Sequence, residues 1–275
     1  MLADSHIHLF QNGYKNSGEN EVSHYESLIK TYSINSALVV GFEGEPWALG
    51  NNAFIASQAK TRPWMHPLAF LHPERLNVNQ LDSLLQLGFE GITLYLFTEK
   101  DEENLLCVEV AAWQWLVDHH WIVSVNSKGD CWKAWLKVLG RTPDLNLLIS
   151  HLGLPTVSQS LAAPADIDAQ LAAIRKIYEF KNVYLKLSGF YALEPTKPIY
   201  PYPTLDHYLQ YILQNFEVER LIWASDFTPA LSVVTFPQTF QHFSELPFLK
   251  PQDLSKILNQ NLLNLLSRST NPRVR

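Results

Sequence analysis

Two histidines lie one residue apart near the start of the chain, in Asp4-Ser5-His6-Ile7-His8. Side chains of a strand alternate with a period of two, so both imidazoles face one way with Cα atoms about 6.6 Å apart. Such a pair can ligate one metal ion, and it also reads as two ordinary polar residues on a strand edge. Weight comes from elsewhere in the chain, where one apolar run ends at His151 and another at Asp226. Burying all these groups at one place costs several kcal/mol unless an ion or an anion pairs them. Two imidazoles and a carboxylate leave coordination positions open, which suits a catalytic divalent ion that holds water: zinc first, with manganese as the alternative. Asp226 would take a proton from that water, while His151 would polarise a substrate carbonyl or pass a proton to the leaving group.

Around this set lie further candidates. Asn126 closes another apolar run and is a poor ligand but a good orienter of water or substrate. Lys186 and Ser188 share one face of Val183-Tyr-Leu-Lys-Leu-Ser-Gly189, so Lys186 is either an anchor for a substrate carboxylate or the partner of a buried acid. Thr93 and Tyr95 offer hydroxyls that either touch substrate or fill space, and Asp4 either steadies an imidazole N–H or starts a strand. His66 begins its run and so sits at the far end; His24, His119, His120, His207 and His242 fall in helical stretches and read as surface or packing residues. The stretches 42–47 and 191–203, rich in aromatics and proline, are suited to form walls over a substrate or a protein contact.

The elements that must position these residues repeat along the chain. Apolar runs begin near Ser5, Ala37, His66, Gly91, Trp121, Asn146, Val183 and Leu221, at intervals of 25 to 38 residues. Each interval fits a strand, a loop, a helix and a return. Helices are expected at Glu21–Ser33, Val78–Leu87, Leu105–His119, Asp166–Phe180, Thr204–Asn215 and Gln252–Leu266, with Asn77, Asn104 and Thr204 as caps. Eight such units predict a single (β/α)8 barrel domain over residues 1–275, whose active site lies where the strands end. A doubly wound open sheet is the rival, but no GxGxxG follows the first run.

With 47% hydrophobic and 17% charged residues among 275, the chain can bury a full core and is not a disordered protein. Lys plus Arg is 21 against 27 Asp plus Glu, a net charge of −6 that carries no basic footprint for nucleic acid. No apolar stretch reaches membrane-spanning length and the first residues lack a basic leader, so a cytoplasmic protein with a small-molecule substrate is expected. Cys107 and Cys131 have no metal spacing and read as free thiols.

Taken in order, Asp4-Ser5-His6-Ile7-His8, Ile149-Ser-His151-Leu-Gly-Leu-Pro155, Lys186-Leu-Ser-Gly189 and Trp223-Ala-Ser-Asp226-Phe227, with Asn261 near the end, resemble the amidohydrolase superfamily. The likeness is to its amidohydrolase 2 branch, which includes 2-pyrone-4,6-dicarboxylate lactonase-like hydrolases and related decarboxylases. The resemblance implies a rim site in which His6, His8 and Asp226 bind metal, Asp226 activates water, and His151 is a catalytic or substrate-contacting imidazole. Relatives often place another histidine on strand five, where this chain has Asn126, and a basic residue on strand four, where it has Thr93. The first departure favours a lactonase-like hydrolase with weak metal dependence over a decarboxylase of an unsaturated or aromatic acid. A barrel that has lost catalysis and binds a small molecule is the reading from another class.

Overall fold

A computed structural model of the chain describes residues 1–157, 163–195 and 200–269. Eight parallel strands run in chain order around one sheet: β1 Leu2–Ile7, β2 Ile34–Val40, β3 Met65–Phe70, β4 Gly91–Leu96, β5 Ile122–Ser127, β6 Asn146–Ile149, β7 Val183–Leu187 and β8 Leu221–Trp223. A parallel bridge between Ile7 and Phe227 joins the two ends. The expected (β/α)8 barrel is therefore present. Between and after the strands lie α1 Glu21–Tyr32, α2 Asn51–Ala59, α3 Val78–Gln86, α4 Glu99–Cys107, α5 Val110–Asp118, α6 Cys131–Arg141, α7 Pro164–Tyr178, α8 Phe190–Leu193, α9 Pro203–Asn215, α10 Pro251–Ser255 and α11 Asn261–Ser269.

Several boundaries differ from expectation for identifiable reasons. β1 begins at Leu2 rather than Ser5, because buried Asp4 finds its donors in Ser225 and Tyr25, far away in the chain. The helix expected over Leu105–His119 is two helices, separated where Val108 and Glu109 are extended. The first of these starts at a capping box of Thr98 and Asp101, upstream of Asn104, which lies inside it. Thr204 likewise falls within α9, which starts on Pro203. Asn77 caps α3 as expected, its side chain accepting from the Gln80 N–H.

Strand alternation divides the interior into layers. Near the strand beginnings, Leu38, Leu68, Ile122, Leu148, Tyr184 and Ile222 form an apolar plug, which Leu262, Leu265 and Leu266 of α11 close from below. Asn261 anchors that helix by donating to the carbonyls of Val218 and Leu221. A second core, with Trp113, Trp121, Trp135 and Trp223, fills the space between strands and helices. Gly91 lets β5 close in: a Cβ there would lie 2.1 Å from the Ile122 carbonyl oxygen. Two positions beyond Ile122, Leu148 and Tyr184 come the buried polar residues Ser124, Ser150 and Lys186, which lead up to the rim.

Candidate active site

The ends of β1, β6 and β8 converge on one buried cluster. His6 Nε2 and His8 Nε2 are 3.0 Å apart, and each is 3.8 Å from Asp226 Oδ1. The second carboxylate oxygen faces other groups: Tyr191 donates to Asp226 Oδ2 at 2.7 Å, and His151 Nε2 stands 3.9 Å away. Asp226 lies beyond β8 in a left-handed conformation, φ 57°, fixed by its N–H donating to the His6 carbonyl and its own carbonyl accepting from Ala230. His151 is also left-handed at φ 53°. Strained backbone of this kind persists where the surroundings over-determine it, and it turns both side chains into the barrel mouth.

Each imidazole is oriented by a specific neighbour. His8 Nδ1 donates to the Val40 carbonyl at 2.8 Å, which leaves its Nε2 lone pair facing the cluster. His151 Nδ1 is 2.9 Å from Ser188 Oγ. Gly189, at φ 73°, makes room for this ring, because a Cβ would lie 2.7 Å from His151 Nδ1. His6 Nδ1 is 3.1 Å from Lys186 Nζ and 3.4 Å from Ser150 Oγ. Burial depresses the basicity of all three histidines, with Lys186 adding to the effect on His6, so neutral imidazoles are favoured.

Lys186 is fully buried beneath the cluster, donating to Ser124 Oγ at 2.8 Å, and is not among the residues lining the cavity above it. Burial brings its ammonium down to about 7, opposed by the nearby charges of Asp226 and Asp4. At these distances the protons have a consistent order. The Val40 carbonyl only accepts, so neutral His8 carries its proton on Nδ1; His6 then donates through Nε2 to His8, and its Nδ1 accepts from Lys186. Asp4 serves the backbone rather than a ring: it accepts from the N–H groups of Ser225 and His6 and from Tyr25 Oη. Burial raises its carboxyl to about 6.

His6, His8 and Asp226 form the group able to hold a metal among the described residues, with ligand atoms within 4.8 Å of one another. The donors fit a divalent ion, since Nε2 of His8 is bare and Asp226 Oδ1 faces both rings. For His6 Nε2 to join them, its proton has to move to Nδ1 or leave.

Above the cluster opens a cavity of about 600 Å3, lined by His8, His151, Asp226, Asn126, Tyr95 and Tyr191 among others. Asn126 and Tyr95 are thus brought to the site with the histidines. Phe42 and Trp47 of the loop after β2 line it as well, as does Tyr191. Of the second stretch singled out for its prolines and tyrosines, 196–199 lie outside the described residues. His66 instead pairs with Glu90 at 2.6 Å at the beginnings of β3 and β4, and His242 is packed among Phe190, Tyr202 and Phe243. Sequence reasoning missed Phe10 and Tyr14 as lining residues and Tyr191 as a donor to Asp226. Phe10 carried a signal, standing two residues beyond His8 in the same alternation, whereas Tyr14 carried none.

This is a parallel barrel with imidazoles and a carboxylate gathered at its C-terminal rim, the place where barrels of this kind carry their chemistry. A family model described as amidohydrolase, the amidohydrolase 2 type, matches residues 4–266, and the chain belongs to that family. Among solved structures, an Acinetobacter baumannii protein called a probable 2-pyrone-4,6-dicarboxylic acid hydrolase, with citric acid bound, is 18% identical. Their alignment covers 97% of this chain and 99% of that one, with a TM-score of 0.70. A Burkholderia multivorans amidohydrolase with bound zinc is 14% identical over 97% and 99% of the two chains, TM-score 0.78. A putative 2-pyrone-4,6-dicarboxylic acid hydrolase from Pseudomonas putida is 21% identical over 98% of each, TM-score 0.71. No match was found among curated proteins.

Proposed function

We propose that this amidohydrolase family member is a hydrolase that opens a lactone or a related cyclic ester or amide of a small molecule. The observation that carries the reading is the division of labour on Asp226, whose Oδ1 faces His6 and His8 while Oδ2 faces His151 and Tyr191. One carboxylate can thereby serve an ion and a proton transfer at once. A divalent ion held by His6, His8 and Asp226, zinc in the first place, would polarise the carbonyl and make water more acidic.

The chain's own residues supply the rest. Asp226 Oδ2 accepts a proton from the attacking water as its oxygen bonds to the carbonyl carbon. With the Ser188 hydroxyl as donor to His151 Nδ1, 2.9 Å away, the ring would keep an Nε2–H with which to stabilise the developing oxyanion. The ring C–O bond then breaks, and the leaving oxygen takes up the proton collected by Asp226, giving a hydroxy acid. Asn126 and Tyr95 hold the substrate from the β4–β5 side of the cavity. Lys186, from below, holds the His6 ring rather than a substrate carboxylate.

The test is turnover of a lactone panel by the zinc-reconstituted chain, followed by acid release. Asp226→Asn lowers kcat by about a thousandfold and His151→Gln by about a hundredfold, each with an unchanged thermal transition. Full activity in Asp226→Asn removes the mechanism. Carbon dioxide release without a ring-opened acid replaces the reading with a decarboxylase.

A further inference from the structure

The walls of the cavity restrict what can occupy it, an argument that rests on the hydrolase reading and extends it to the substrate. One side is a continuous run of rings. Phe10 meets Trp47 edge-on at 4.8 Å, Trp47 lies 6.0 Å from Phe42, and Phe42 meets Tyr95 edge-on at 5.2 Å. These rings come from the ends of β1, β2 and β4, whereas His151, Tyr191 and Asp226 come from the ends of β6, β7 and β8. A planar or alicyclic ring laid against the aromatic side would therefore present its carbonyl to the reacting side.

Beside the rings is one unsatisfied polar spot. Tyr95 and Asn126 are register partners on β4 and β5, and both line the cavity. Asn126 Oδ1 is a buried atom without a hydrogen-bond partner, and the Tyr95 hydroxyl, with the Thr93 side chain beside it, is buried too. Leaving Asn126 Oδ1 unpaired is unfavourable, and one ligand hydroxyl relieves it by donating to Asn126 while accepting from Tyr95.

Among the described residues, positive charge is scarce in the same space. Among the described lining residues there is no arginine; the only lysine is Lys15, exposed at the mouth above the Tyr14 ring and accompanied there by the oppositely charged Glu45. Lys186 is committed to His6 and Ser124 below the floor. A carboxylate pressed against the aromatic wall would lose its water without gaining a counter-charge. A polyhydroxylated sugar ring would turn most of its hydroxyls toward carbon.

We infer that the site selects an uncharged lactone with an apolar ring face and one hydroxyl seated between Tyr95 and Asn126. It thus discriminates against the dicarboxylates for which two of its structural neighbours are named.

The experiment compares 6-hydroxy-3,4-dihydrocoumarin, unsubstituted 3,4-dihydrocoumarin, 2-pyrone-4,6-dicarboxylate and glucono-1,5-lactone on the zinc-reconstituted wild-type chain. Binding is read by calorimetry and turnover by acid release. The hydroxylated neutral lactone binds about tenfold or more tightly than each of the other three. Asn126→Ala abolishes its advantage over the unsubstituted ring, and Trp47→Ala weakens both neutral rings about tenfold. Phe42→Arg, which places a cation in the wall, gains affinity for the dicarboxylate. Tighter binding of the dicarboxylate or the sugar lactone by wild type, or no binding of either neutral ring at millimolar concentration, overturns the inference. The two readings fail separately: a neutral lactone bound but not opened sinks the hydrolase, whereas preferential opening of the dicarboxylate keeps the hydrolase and sinks this selectivity.

Discussion

The two oxygens of Asp226 face two different sets of groups. Tyr191 donates to its Oδ2 at 2.7 Å and so fixes the carboxylate's rotation while Oδ1 stays toward His6 and His8. Tyr191→Phe keeps the ring in the wall and removes that bond, so kcat falls about tenfold with little change in folding, as steady-state kinetics beside a thermal melt would show. The His6 ring makes a second prediction. Its Nε2 carries a proton toward His8, and when an ion takes that nitrogen the proton leaves, or moves to Nδ1 and displaces one from the Lys186 ammonium that donates there. Zinc binding near pH 7 therefore releases about one proton from the His6, His8 and Lys186 chain, seen as a dependence of the calorimetric enthalpy on the buffer's ionisation heat. An enthalpy identical in phosphate and Tris would exclude it.

Elements matter through where they stop. β6 ends at Ile149 and β8 at Trp223, and the left-handed residues that follow swing His151 and Asp226 inward. Gly189 permits the first of these, since any Cβ there collides with the His151 ring. Gly189→Ala consequently displaces His151 and lowers kcat about a hundredfold, an effect crystallography of the variant should match with a rotated imidazole. Gly91, at the start of β4, acts on stability instead. Gly91→Ala forces β4 from β5 against the Ile122 carbonyl and costs about 3 kcal/mol, to be measured by urea denaturation. Six strand beginnings are readable from apolar runs to within one residue, while β1 and β2 start three residues earlier; the caps are readable only in part, because the Thr98–Asp101 capping box starts α4 upstream of Asn104 and Pro203 starts α9 before Thr204.

At the scale of the molecule, the interior is apolar below and polar above, and its pH response follows from the layer between. Lys186 titrates at about 7 in the fold and near 10.4 when unfolded, so the unfolded chain binds more protons across that window and stability rises with pH through it. The buried histidines act in the same direction below about 6.5, while Asp4, raised to about 6, acts oppositely between about 4 and 6. Denaturation midpoints of the chelator-treated chain should rise from pH 7 to pH 10, and Lys186→Met should flatten that rise; a flat wild-type profile would contradict the burial of the ammonium. Among the described residues no helix is long and apolar enough to cross a membrane. The barrel and the placing of His6, His8, His151 and Asp226 at its rim are legible in the amino-acid order, because strand alternation and the spacing of apolar runs are local properties. Folding alone puts Lys186 under His6, sets Tyr191 against Asp226, and joins rings from the ends of β1, β2 and β4 into one wall. Those contacts depend on how the closed sheet brings separate strand ends around a common axis, and no stretch of the chain encodes that by itself.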